Sequence, residues 1–304
     1  MVALALWLGS LQLIALAAFG SAWLVDAGLR RRSAATRRGV WALAIVMALV
    51  LPLMRLAIEA PAISLRSELA GAMLVIWLVG FVALLVRLLL GLHVVRRWVA
   101  ASVEIESPAW RADSSALRGD RAEVELRRCA EITGPVCVGL VRSRILVPDA
   151  MLELPADERR SLLAHELAHV ARGDASMLIL GGVARAIYWI NPIAWLALRR
   201  FRAQAENAAD DAVLSVGVTS SSYAAQLVAL ARAQVMIASS LRERVLAILD
   251  VERSRSVALT MLPRWGAARL VGVAVLLASL ATACEARSEA PVDADSRVTL
   301  RRAL

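Results

Sequence analysis

The chain of 304 residues has no lysine, so all 35 of its basic side chains are arginines, set against 26 acids for a formal charge of +9. A pI near 11 ordinarily points to nucleic acid. Here the arginines cluster beside apolar runs instead, which is the pattern of membrane topology, and direct nucleic-acid binding is not expected. Cysteine is scarce too: Cys129, Cys137 and Cys284 form no CxxC pair, which excludes a disulfide framework and a cysteine zinc site and leaves the first two as filler. Histidine occurs only three times and tyrosine twice. No charge precedes Asp26. With 59% hydrophobic residues and a mean hydropathy of +0.64, the chain is too apolar for an ordinary soluble globule.

What is abundant is the long apolar run. Residues 1–25 are long enough to cross a hydrocarbon core that needs about 20 helical residues. They lack the basic start of a signal peptide. A dense positive loop follows from Arg30 to Arg38, then a second run from Val40 to Ile58 and a third from Leu69 to about Leu92, closed by Arg96 and Arg97. The positive-inside rule places the Arg30–Arg38 loop in the cytoplasm and the N-terminus outside. The expected division is three membrane helices in 1–95, a cytoplasmic domain in 96–264, a fourth membrane helix in 265–284 and a short extracytoplasmic tail in 285–304. Arg264 to Cys284 also resembles a lipoprotein signal, but such signals act at an N-terminus, and an outward-facing membrane helix is the better reading.

The central part changes pattern. Val124 to Leu126 reads as a short strand, and GPVCVGLVRSRILVP (Gly134–Pro148) as two extended segments around a polar turn. Pro155, Asp157 and Glu158 start a helix that should stop near Gly173. Asn191 and Pro192 start another that should end near Gly217. Ser220–Ser222 and Leu241–Leu249 mark two more. Met177 to Leu198 is apolar enough to pass for a span, but Arg185 and Pro192 argue against one, and it is read as a hairpin packed in the domain beside the membrane.

Two of the three histidines lie in LLAHELAHVARGD, from Leu162 to Asp174. His165 and His169, four apart, project from one helix face, where two imidazoles can share a zinc ion. Glu166 between them completes HExxH, in which the glutamate is the general base. A catalytic zinc usually takes a third protein ligand. RAQAENAADDAVL (Arg202–Leu214) offers Glu206 as that ligand, with Asp210 one turn on to accept the N–H of a ligand histidine and orient it. The competing reading is a solvated acidic face on an arginine-rich helix. GPVCVG is read either as a sheet edge open to a substrate strand or as a core strand. Tyr188 and Tyr223 could donate to an oxyanion, although packing is the simpler role for both, and His93 reads as interfacial.

HELAHVARGD, GPVCVG…RILVP, AENAADDAVL and SLRERVLAIL together resemble the bacterial antirepressor family of integral-membrane zinc metallopeptidases, known from β-lactam-sensing signal transducers. The resemblance runs from the first membrane helix to about residue 260. It implies a membrane protein with an α+β gluzincin-type metallopeptidase domain on about four transmembrane helices, in a bacterial cytoplasmic membrane. His165, His169 and Glu206 would bind Zn2+, with Glu166 as catalytic base. The implied partner, besides the lipid bilayer, is a cytoplasmic protein substrate such as a DNA-binding repressor, or the chain itself at ERSRS (Glu252–Ser256). A homodimer is left open. The best-known members carry a penicillin-binding sensor after the last membrane helix. Residues 285–304 hold no SxxK acylation motif, so drug sensing has no support here. Two alternatives stand beside this reading: a membrane quality-control zinc protease of heat-shock type, and a non-catalytic zinc-binding transducer.

Overall fold

The computed structural model describes residues 2–30, 32–58, 68–119, 123–140, 142–234, 238–250 and 255. The expected fourth membrane helix, the tail, Cys284 and most of the ERSRS segment lie outside the described residues.

The three apolar runs form α1 (Val2–Gly28), α2 (Ala34–Ile58) and α3 (Glu68–Ala101). Each contains a stretch long and apolar enough to cross a membrane: Gly9–Gly28, Ala34–Met54 and Gly71–Ala101. Two boundaries differ from the sequence reading. The positive segment is helical from Ala34, because Arg37 and Arg38 turn inward to carboxylates and do not need the solvent of a loop. The third helix runs nine residues past Leu92, through the expected boundary at 95, because Val95, Trp98 and Val99 pack on a small core of Cys129, Ile132, Val138 and Leu146.

That core belongs to a four-stranded sheet of β1 (Val103–Glu104), β2 (Glu125–Arg128), β3 (Val136–Val138) and β4 (Arg144–Val147), in the order β1-β2-β4-β3. β2 and β4 run parallel, while the outer pairs are antiparallel. β3 is therefore an edge strand. Between β1 and β2 lies α4 (Pro108–Arg118), which the sequence pattern did not disclose; it buries Trp110 in one core with Leu126 and Ile145 of the sheet and Leu163 and Leu167.

The remaining helices are α5 (Ala156–Arg172), α6 (Asp174–Ile187), α7 (Pro192–Ser215), α8 (Ser220–Gln234) and α9 (Ala238–Leu249). The starts of α5, α7 and α8 follow the expected signals, whereas α6 begins directly after Gly173 and α9 begins three residues before Leu241. Asn191 caps α7 by accepting from the Ile193 amide at 3.0 Å, with Pro192 at the first helical position. Gly173 ends α5 at φ +64°, a conformation glycine adopts without strain, and its N–H closes on the carbonyls of His169 and Val170. The chain turns there directly into α6.

The α6–α7 hairpin lies deeper than the sequence suggested. It packs between α1, α2 and α3, sharing one core with Phe19 of α1 and Trp41 and Ile45 of α2. Small residues permit the close approach: a Cβ on Gly181 would meet Leu198 at 2.6 Å, and one on Gly182 would meet Leu88 at 3.1 Å. Asp174 at the base of the hairpin meets Arg38, and Tyr188 at its tip meets Ala48. Ten residues of α2 separate those two levels, a rise of about 15 Å. Trp77 of α3 donates to the carbonyl of Ile187, and Trp189 donates back to the carbonyl of Trp77, both at 3.1 Å.

Candidate metal centre

α5 and α7 cross so that three side chains converge. His165 and His169 lie one turn apart on α5, with their Nε2 atoms 3.1 Å from each other. Glu206 of α7 places Oε2 3.6 Å from Nε2 of His165 and Oε1 3.6 Å from Nε2 of His169. One ligand atom from each lies within 4.8 Å of the others. Two nitrogens on a tetrahedral zinc at about 2.0–2.1 Å would be about 3.3 Å apart, so the spacing suits that ion.

The far sides of both rings are occupied by carboxylates. Asp210 Oδ1 lies 3.2 Å from Nδ1 of His165, and Asp174 Oδ2 lies 2.7 Å from Nδ1 of His169. An ionised carboxylate only accepts, so each Nδ1 carries a proton, and with a metal bound each Nε2 would turn its lone pair to the common point. This arrangement fixes tautomer and ring orientation in a metal site. The donor set therefore fits a zinc ion.

Further support surrounds the carboxylates. Arg244 of α9 donates to Asp210 through Nε and Nη2 at 2.9 and 2.7 Å, and its Nη1 lies 3.2 Å from Glu206. Tyr223 of α8 donates to Asp210 at 2.8 Å and stands 3.2 Å from Nδ1 of His165. Arg172 bonds Asp174 at 2.9 Å and the carbonyl of Ala205, next to Glu206, at 3.1 Å.

The electrostatics are those of a compact ionic cluster. Burial would lower the pKa of His165, but the contacts with Asp210 and Glu206 outweigh it and push the group up to about 9. Burial would raise Glu206; the bond to His165 and the charges of both histidines and Arg244 bring it down to about 2. Asp174 and Asp210 are likewise held well below the usual carboxylate range despite burial, the first by His169, Arg172 and Arg38, the second by His165 and Arg244.

Glu166 is only 6% exposed and lines the same cavity as the three convergent residues, a space of about 1420 Å3. Its other walls come from β3 and from Val95, Trp98 and Val99 at the end of α3. The free edge of β3 thus borders the site. Cys137 on that strand is a free thiol whose pKa is pushed well up by burial.

The structure thus gathers His165, Glu166, His169, Glu206 and Asp210 in one place. Sequence reasoning missed four partners: Arg38, Arg172, Asp174 and Arg244. Asp174 had a signal, since it directly follows the Gly173 stop and ends the histidine motif. Arg244 lay within SLRERVLAIL, but nothing local tied it to Asp210. Tyr188 is fully buried and bonds Ala48, which makes it a packing residue, and Tyr223 supports Asp210. His93 is exposed on α3.

A helical protein with three helices of membrane-spanning length among the described residues, and a His–His–Glu cluster beside a buried glutamate, has the make-up of a membrane metallopeptidase. The model of the BlaR1 peptidase M56 family matches residues 59–248, well over half of the chain, and the chain belongs to that family. It is similar to the regulatory protein BlaR1 of Bacillus licheniformis, 32% identical over 92 residues, and to the methicillin resistance mecR1 protein of Staphylococcus aureus, 28% identical over 97 residues. These matches cover 30% and 32% of this chain but only 15% and 17% of those relatives. Family and apolar helices together fit a membrane metallopeptidase of signal-transducer type.

Proposed function

We propose that the protein is an integral-membrane zinc endopeptidase, of gluzincin type, that cleaves a cytoplasmic protein in signal transduction. The observation that carries this reading is the convergence of His165, His169 and Glu206 on one point, with Glu166 facing the same cavity. His165, His169 and Glu206 act as the ligands, and Asp210 and Asp174 hold the two rings.

The metal supplies Lewis acidity to a peptide carbonyl and acidifies a water. Glu166 takes the proton from the attacking water and hands it to the leaving amine nitrogen, forming a carboxylate and a free amine. Its burial keeps competing solvent away from that transfer. The edge of β3 accepts an extended peptide by main-chain hydrogen bonds, which place the scissile bond over the site with little demand on sequence.

The arginine-rich segment between α1 and α2 supports an orientation with the peptidase domain in the cytoplasm and the N-terminus outside the cytoplasmic membrane. A cytoplasmic substrate follows from that orientation. A transcriptional repressor, or the chain itself at ERSRS, is the substrate of choice given a family whose curated members are named for regulation and resistance.

The test compares cells making wild type with cells making Glu166→Ala, mapping new protein N-termini across the cytoplasm. N-termini that depend on wild type would establish proteolysis and identify the substrate. Identical maps under varied envelope stress, with zinc retained by Glu166→Ala, would favour a non-catalytic transducer.

A further inference from the structure

Arg38 lies in the first turns of α2, yet its guanidinium leaves the membrane helices and is buried at the corner between α5 and α6. Its Nε donates to Asp174 Oδ1 at 2.5 Å, and its Nη2 donates to the carbonyl of Arg172 at 2.8 Å. These partners are 136 and 134 residues away in the chain. The guanidinium also stacks over Phe201 of α7, 5.3 Å from the ring centre.

The two oxygens of Asp174 have divided roles. Oδ2 faces Nδ1 of His169 and accepts from Arg172, whereas Oδ1 accepts from Arg38. Asp174 is 2% exposed, so loss of a donor would leave a buried carboxylate oxygen short of a partner. The Arg172 carbonyl is one of those that a helix C-terminus leaves without an intrahelical partner, and a cation there is favoured by the helix dipole. Arg172 in turn bonds the carbonyl of Ala205, one residue before Glu206. A single buried fork from a membrane helix thus reaches the support of two of the three convergent residues.

We propose that Arg38 is a positioning residue for the metal centre, holding Asp174 and through it the His169 ring, so that the seating of α2 against the α5–α6 corner sets the affinity and geometry of the site. This rests on the reading of His165, His169 and Glu206 as ligands. A shift of α2 along its axis, from whatever signal reaches the membrane helices, moves the guanidinium and turns the carboxylate that orients His169. The site would then loosen without any change at the ligands themselves.

The experiment uses the full chain in lipid nanodiscs, loaded with Co2+ in place of zinc. Its d–d absorption reports ligand geometry, and Zn2+ affinity is read by competition with a chelator. Arg38→Met is expected to shift the Co2+ bands and to weaken Zn2+ by about 10- to 100-fold, the range typical of lost outer-shell partners. Arg38→Lys should recover part of that loss, since one ammonium reaches Asp174 but cannot also form the second arm of the fork. Arg37→Met serves as the comparison, because Arg37 pairs with Asp26 of α1 at 2.6 Å and touches neither Asp174 nor Arg172.

Unchanged bands and affinity in Arg38→Met would overturn the proposal. So would an equal loss in Arg37→Met, which would mark the effect as general packing of α1 on α2. Should Arg38→Met fail to fold, Arg38→Lys decides alone: a band shift with weaker zinc supports the proposal, and wild-type values sink it. A wild type that binds no Co2+ would instead defeat the reading of the metal centre, a distinct failure.

Discussion

Tyr188 donates a 2.6 Å hydrogen bond to the carbonyl of Ala48, and the residue four places after Ala48 in α2 is Pro52. Proline has no N–H, so the carbonyl of Ala48 lacks its helical donor. The tyrosine at the tip of the α6–α7 hairpin supplies it, from a position fully closed to solvent. Tyr188→Phe should therefore destabilise the protein by about 1–3 kcal/mol, the cost of an unpaired buried carbonyl. Pro52→Ala restores the missing N–H, and the double variant should regain most of that loss. Thermal unfolding of the four proteins in one detergent measures the cycle; additive losses would show that the two groups do not share the carbonyl.

Ala48 lies within the stretch of α2 long and apolar enough to cross a membrane, so the proposed membrane placement sets the hairpin tip at bilayer depth, as a re-entrant turn. Ile190, 56% exposed beside the tip, should face lipid. In a cysteine-free background, Ile190→Cys is expected to resist an impermeant maleimide added outside intact cells and to react once detergent is present. Labelling from outside would mean that the hairpin crosses the bilayer.

Gly80 of α3 faces the ring of Trp189 so closely that a Cβ would lie 2.2 Å from it. Gly80→Ala should force α3 away from the hairpin at a cost of about 1–3 kcal/mol, as overpacked sites do. Because the end of α3 forms a wall of the cavity, peptidase activity should fall with stability, whereas Gly91→Ala, with nothing within 4 Å, should change neither.

Arg244 and Tyr223 both hold Asp210, but with unequal consequences. Arg244→Met leaves a buried carboxylate without its cation, and Tyr223→Phe removes one neutral donor. Zinc affinity should fall by about 10- to 100-fold in Arg244→Met, and by less in Tyr223→Phe. Equal losses would show that the charge of Arg244 is immaterial to the site.

Proton release reports the same cluster. With His165 raised to about 9 and Glu206 lowered to about 2, the metal-free site holds a proton at pH 7 that a metal must displace. Calorimetry in buffers of different protonation enthalpy should show about one proton released per zinc at pH 7, with apparent affinity climbing about tenfold per pH unit up to about pH 9. For the metal-free fold the raised pKa of His165 stabilises fully below about pH 6.5, and that contribution fades as pH rises through about 9. Release of no proton would mean that His165 is already neutral.

The spacing of His165, Glu166 and His169 was legible because a helix places residues four apart on one face whatever surrounds it. Glu206 and Asp210 were legible for the same reason, once a hairpin was granted. The starts of α5 and α7, the stop at Gly173 and the paired strands β3 and β4 carried local signals of proline, asparagine and glycine. The helix α4 is short and mostly polar, with few apolar side chains to mark its period, and went unseen; its role became clear only from Trp110, buried in one core with residues of β2, β4 and α5.

The sequence by itself thus determined the apolar helices, the ligand-type residues and their spacing, because periodicity and chain chemistry act over a few neighbouring residues. Tertiary structure alone decided which carboxylate faces which ring, that Asp174 and not only Asp210 orients a histidine, and that Arg38 of α2 reaches the α5–α6 corner. Those pairings join residues that are distant in the chain and whose charges suit many partners equally well. Only the packing of α2, α5, α6 and α7 brings a given donor within hydrogen-bond reach, and burial then makes the pairing costly to break.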